Sequence, residues 1–170
     1  VTGWRSEIHP NASVYNALCE HEWHRPAGEI TACGGDMMVR VAAYQEVGGF
    51  DGSIIAAEDD EFCQRLRKAG WRLIRLPHPM TRHDAAMRTF GQWWRRAVRT
   101  GHGFAQVGDM HPGYFARERA RVWVYGLVLP MLVVTGLIWF PLLAGVLTVY
   151  VMSYVKTAQG LRKSGMGTRA

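Results

Sequence analysis

Cysteine is scarce in this 170-residue chain, and the three present, Cys19, Cys33 and Cys63, are odd in number and show no CxxC or metal-finger spacing. That excludes a disulfide framework and a structural zinc site, and it fits a reducing compartment. The opening VTGWRSEIHP has no initiator Met, no basic stretch and no apolar core, so it is not a signal peptide, and the chain is expected to begin in mid-domain. Repeats and low-complexity tracts are missing as well. The longest absence is one of charge: from Val122 to Val155 there is no Asp, Glu, Lys, Arg or His.

A run of that length exceeds the about 20 apolar residues that cross a bilayer once. One straight helix would overshoot a hydrocarbon core of about 30 Å, and Pro130 and Pro141 interrupt it. Arg117, Arg119 and Arg121 precede the run, and Lys156, Arg162 and Lys163 follow it. Positive charge on both flanks puts both on the cytosolic side, which requires an even number of crossings and a turn near Trp139, Phe140 and Pro141. The expectation is a transmembrane hairpin over 121–156 with arms of about 17 residues, at the short end of the spanning range, so a shallow re-entrant hairpin is the alternative. A buried helix pair in a soluble protein is the bland reading. Residues 157–170 read as a basic cytosolic tail.

The remaining charge is uneven. Residues 1–81 carry eight Arg/Lys against eleven Asp/Glu, whereas 82–121 carry eight Arg against three acids. The basic residues bracket the apolar run and are interleaved with Trp, which points to a membrane surface and not to nucleic acid.

Residues 11–23 pattern as a helix ended by Arg25, Pro26 and Gly28. DMMVR reads as a short buried strand, VAAYQE as a helix capped by Gly48, and Glu58–Ala69 as a helix with Phe62, Cys63, Leu66 and Ala69 on its apolar side, stopped by Gly70. WRLIRL alternates as a strand. The order strand, helix, helix, strand implies an α/β domain over 1–87. Residues 88–100 make an amphipathic helix closed by Gly101, with Phe90, Trp93, Trp94, Ala97 and Val98 opposite Gln92, Arg95, Arg96 and Arg99. Within a segment over 88–120, it suits a helix lying in the membrane interface.

Two features carry possible chemistry on their residues alone. The cluster AAEDDEF opens a helix, where carboxylates are favoured by the exposed N–H groups, and where a general base can also be held rigidly at a pocket edge. Gly34 and Gly35 before Asp36 make either an ordinary turn or a place where backbone approaches a substrate. Cys33 lacks a neighbouring base and reads as a small packed residue.

Taken in order, CGGDMMVR, AYQEVGGFD, EDDEFCQRLRKAGW and then His83 followed by QWWRR resemble the second half of the catalytic domain of family 2 glycosyltransferases of the GT-A fold, across most of residues 30–100. The resemblance implies a partial GT-A (Rossmann-like) domain followed by the interfacial helix and the two-helix hairpin. It makes Asp59, paired with Glu58, the base that takes a proton from a sugar hydroxyl in an inverting transfer. It further implies substrate contacts from Gly34, Gly35, Asp36, Asp60, Gln92, Trp93, Arg95 and Arg96. His83, with His78 as competitor, would hold a divalent metal, Mn²⁺ or Mg²⁺, at the diphosphate. QWWRR matches the family's QxxRW motif in part, because Arg96 stands where the motif has Trp.

The implied partners are a nucleotide-sugar donor, a glycan or lipid-linked acceptor and the membrane, with the protein multi-pass in the cell inner membrane and its catalytic part cytosolic. The family's metal-holding DxD does not occur in these residues. The expectation is therefore that the donor-binding half is absent and that this polypeptide alone is inactive. A non-catalytic membrane scaffold, or an inactive relative, is the alternative.

Overall fold

The computed structural model describes residues 1–163. The chain divides into two compact units, the first running from Val1 to Phe115 and the second starting at Ala116. The first is a mixed α/β unit and the second is helical.

The first unit is built on a three-stranded sheet of order β1-β3-β2, from β1 (Thr2–Glu7), β2 (Gly28–Ile30) and β3 (Leu73–His83). β1 runs parallel to β3, and β2 antiparallel to it. Pro77 and Pro79 lie in the central strand, where a missing N–H is normally excluded. They are tolerated because β2 pairs only as far as Arg75, and because the β1–β3 register slips on either side of Trp4, the partner of Pro79. Gly3 permits this close passage, since a Cβ there would stand 2.6 Å from both the His78 carbonyl and Met80 Cβ.

Between the strands lie α1 (Val14–Trp23), α2 (Val41–Glu46) and α3 (Glu58–Lys68), and α4 (Phe90–Met110) follows. Ser13 caps α1 by accepting the Asn16 N–H. Gly48, Gly49 and Gly70 follow α2 and α3 with positive φ, as the helix-stop reading requires. The expected strand at DMMVR is not formed: residues 36–40 have no regular secondary structure, and their pairing is limited to Met38, which exchanges backbone hydrogen bonds of 2.8 and 2.7 Å with Val1 just ahead of β1. WRLIRL is only the start of a longer strand, while β1 and β2 lie in segments whose sequence shows no alternation.

α3 is the centre of the packing. Its Phe62 and Leu66 are buried with Ala43 against Val47, Trp71, Met37 and Val39, and Phe50 lies 4.5 Å from Phe62 ring to ring. On the other side, Cys63, Cys33 and Leu73 are buried beneath Ile30, Ala32 and Met37.

α4 does not stop at Gly101. It continues to Met110, because Gly101 and Gly103 sit within a helix capped at its start by a Thr89–Gln92 capping box, and Gly103 serves to bring the helix within contact of Ala56 and Ala57. The helix docks by a stripe opposite to that expected of its apolar side. Arg96 reaches Glu22, Arg99 the Ile55 carbonyl and Gln106 the Ser53 carbonyl, whereas Phe90, Trp94 and Val98 remain 59%, 56% and 58% exposed. Trp93 turns inward onto Tyr15.

In the second unit, α5 (Ala116–Trp123) passes through a π-helical stretch at Val124–Val128 into α6 (Leu129–Gly136), and α7 (Phe140–Lys163) returns. The π stretch absorbs Pro130, which lacks the N–H of an α-helical bond. Pro141 sits in the first turn of α7, where no N–H is needed. The two helices, Ala116–Gly136 and Phe140–Lys163, are 21 and 24 residues long and apolar enough to cross a membrane. At 1.5 Å per residue they measure about 31 and 36 Å. Both exceed the expected 17-residue arms because the basic flanks are themselves helical. The turn falls at Leu137–Trp139, slightly ahead of the expected Trp139, Phe140 and Pro141, because Phe140 and Pro141 already belong to the first turn of α7. Gly136 lets the arms close, since a Cβ there would lie 2.8 Å from the Leu143 nitrogen, and Tyr125 donates to Ser153 Oγ across the pair at 3.1 Å. Of the expected tail 157–170, residues up to Lys163 continue α7 and the rest lie outside the described residues.

Truncating Phe62 to Ala is expected to cost the first unit about 3–5 kcal/mol, as for a fully buried aromatic, whereas Phe90→Ala should cost less than about 1 kcal/mol. Denaturant titration of the two variants followed by Trp fluorescence checks this, and equal midpoints would contradict the assigned core.

Candidate functional site

A cleft of about 450 Å³ opens where the N-terminus of α3 faces β1 and the Cys33–Asp36 segment. Asp59, Asp60, Cys33, Gly34 and Asp36 line it, together with Arg5 and Thr2 of β1, Glu22 and Trp23 of α1, Arg25, and Arg75 of β3.

The carboxylates are aimed here by the turn before α3. Ala57 adopts a left-handed conformation (φ 63°), unfavourable by about 1–2 kcal/mol for a residue with a Cβ. Gly103 of α4 packs against it, with any Cβ there coming 2.9 Å from the Ala56 carbonyl. Gln106 brackets the same loop, donating to Ser53 and accepting from the Ile55 N–H.

Burial pushes the Asp59 carboxyl above the ordinary carboxylate range; the Asp60 N–H, which it accepts at 2.9 Å, opposes the shift, and the nearby Glu58 adds to it. Burial likewise raises Asp60, to about 6, against the Tyr114 hydroxyl that donates to its Oδ1 at 2.8 Å, with the charges of Asp59 and Glu58 contributing. The Tyr114 hydroxyl is itself raised, by burial first and then by Asp60.

Asp36 is set the other way. Burial would raise it, but hydrogen bonds from Thr81, at 2.6 Å, and from Arg5 hold it below the ordinary range. It is thereby committed to positioning Arg5, whose guanidinium also lies 5.3 Å from the Trp23 ring centre. Gly34 makes room for that guanidinium, since a Cβ would stand 2.7 Å from Arg5 Nη2. The glycine thus admits an arginine of the chain itself. Cys33 is buried with its sulfur 3.7 Å from that of Cys63, a packed thiol as its sequence context implies.

Of the other residues that the resemblance singles out, Glu58 is exposed and Gly35 does not line the cleft. Gln92 is spent on the α4 cap, its Oε1 accepting from the Arg88 and Thr89 N–H groups at 2.7 and 3.0 Å. Trp93 stacks on Tyr15, and Arg95 is exposed. Arg96 reaches the cleft wall through its 2.7 Å ion pair with Glu22. His83 is exposed and meets the edge of Trp23 at 5.2 Å, and His78 is exposed in the proline-bearing part of β3.

Among the described residues, no three His, Cys, Asp or Glu side chains converge to hold a metal ion. The described residues alone thus do not make up a ligand set for the divalent metal that the resemblance implies.

A cleft with two carboxylates of raised affinity for protons, beside ordered guanidinium groups, suits proton transfer from a hydroxyl. The model for glycosyl transferase family group 2 matches residues 23–159, most of the chain and all of α2, α3, β3 and α4. This chain belongs to that family. No curated protein and no solved structure matches it. At family level, membership assigns a transferase role, with a nucleotide-sugar donor and an acceptor. In this glycosyltransferase the match begins at Trp23, after β1, so it leaves Arg5 outside.

Arg5, Trp23, Arg25, Arg75 and Tyr114 were not singled out by sequence reasoning. β1 has no alternating pattern to mark Arg5 as facing a cleft. Tyr114 lies 54 positions from Asp60 and follows a helix expected to end at Gly101.

Because Asp60 takes up its proton far more readily folded than unfolded, its ionisation opposes folding: stability present at low pH is lost as pH rises through about 6. Asp60→Asn keeps an acceptor for Tyr114 without the charge. It should stabilise the protein by about 2 kcal/mol at pH 7.5 and by little at pH 4. Thermal unfolding at the two pH values checks this, and an equal gain at both would contradict the buried ionisation.

Proposed function

We propose that this glycosyltransferase is an inverting enzyme of GT-A type, in which Asp59 is the general base and the acceptor is a glycan or lipid-linked sugar. The acceptor hydroxyl passes its proton to the Asp59 carboxylate while its oxygen attacks the anomeric carbon of the donor. The bond from that carbon to the nucleoside diphosphate breaks on the opposite face, so the configuration inverts. The observation that carries the reading is the placement of Asp59 in the cleft, half buried and beside Arg5, Gly34 and Asp36. A carboxylate of raised proton affinity takes up a hydroxyl proton more readily.

Arg5 is fixed by Asp36 and Trp23 and presents positive charge to the same space. Its role is to orient the polar end of the substrate and to favour the ionised base. Tyr114 steers Asp60, the second carboxylate, from the turn after α4.

The enzyme would act at the cytosolic face of the cell inner membrane, held by the hairpin of the second unit. The exposed Phe90, Trp94 and Val98 stripe of α4 supports contact of the first unit with the lipid interface.

In a membrane-embedded form that transfers sugar from labelled nucleotide sugars, Asp59→Asn should lower that transfer by at least about a hundredfold while nucleotide binding is kept. Transfer at the unaltered rate would reject Asp59 as base and favour a scaffold role for the domain.

A further inference from the structure

The charged groups of the cleft are not all paired with one another, although Asp59 and Asp60 stand in the same lining. Asp36 is taken by Arg5, and Glu22 by Arg96. Two guanidinium groups remain in the lining: Arg25, just beyond α1, and Arg75, paired with Gly28 in the sheet. Among the described residues neither lies within ion-pair distance of a carboxylate.

Each is nonetheless held in place by the main chain. Arg25 Nε donates to the Glu22 carbonyl at 2.8 Å, and Arg75 Nη1 to the Pro26 carbonyl at 3.3 Å. The anchors are near each other in the chain, Glu22 in the last turn of α1 and Pro26 in the loop just after it, and both side chains line the cleft. Each guanidinium has five N–H donors and spends one on its anchor, which leaves a fork and a full positive charge. Two such forks at a cleft wall match the oxygens of a phosphate group.

We propose that Arg25 and Arg75 form an oxyanion subsite of this cleft that binds a phosphate group of the substrate. The subsite deepens the transferase reading, on which it rests for the identity of the cleft as a substrate site, but the anion chemistry belongs to the arginines alone. The phosphate has two possible sources, the diphosphate of a nucleotide donor and the phosphate of a lipid-linked acceptor.

The test is isothermal titration of the detergent-solubilised full chain with inorganic pyrophosphate at low salt, with circular dichroism to confirm folding. The unaltered protein is expected to bind, and the double variant Arg25→Gln with Arg75→Gln to bind at least roughly tenfold more weakly. Either single Gln variant, which disturbs the fold less, should show part of that loss. Parallel titrations with uridine diphosphate and with glycerol 3-phosphate separate the sources: tighter binding of the first, lost in the double variant, assigns the subsite to the donor, and the converse assigns it to the acceptor. Absence of pyrophosphate binding by the unaltered protein, or unchanged affinity in the double variant, overturns the subsite. A failure of Asp59→Asn to impair transfer would count against the base without altering these titrations.

Discussion

The buried ionised contact at Glu61 holds the rest of the site in register. Its carboxylate is enclosed in the first turn of α3, where Arg65 one turn on grips both oxygens and the His111 Nε2 approaches at 3.0 Å. Lys68 Nζ stands 2.7 Å from His111 Nδ1. Since an ammonium only donates, Nδ1 is the acceptor and Nε2 carries the hydrogen directed at Glu61. Arg65 also donates to the Val47 carbonyl at the end of α2. Burial would raise Glu61, but these donors hold it below the ordinary range, so the charge stays in place. Three helices are thereby joined at one carboxylate, and removing a single partner would strand a buried charge.

From that anchor the chemistry follows by sequence adjacency. Asp59 and Asp60 are the residues just before Glu61, so fixing Glu61 inward leaves them at the cleft. Gly103 and Gln106 brace the strained turn ahead of them, and Tyr114 reaches Asp60 from beyond the same helix. α4 therefore braces the cleft, and its outward stripe of Phe90, Trp94 and Val98 stays exposed. The cleft thus depends on a helix that sequence periodicity alone would assign wholly to the membrane surface.

The parts legible in the sequence were those in which local pattern and tertiary role agree. The apolar side of α3 is the core, the two apolar helices turn back within a few residues of the place expected, and Asp59, Asp60, Gly34 and Asp36 meet in one cleft. What stayed hidden depends on partners distant in the chain. DMMVR has strand composition but pairs only through Met38, with Val1; β1, irregular in register, carries Arg5 without any alternation. Gly101 looks like a stop, yet the capping box and the contact at Gly103 carry the helix two turns further. Gln92 matches a motif but is used as a cap.

The central claim is that α3 presents Asp59 and Asp60 as partly desolvated carboxylates in a shared cleft. Titration of the aspartate side-chain carboxyl carbons by NMR, with Asp59→Asn and Asp60→Asn to assign the signals, measures this directly. The account predicts that both midpoints lie above the ordinary aspartate value, Asp60 near 6, and that Asp36 titrates below it. Two ordinary, solvent-like midpoints for Asp59 and Asp60 would contradict it.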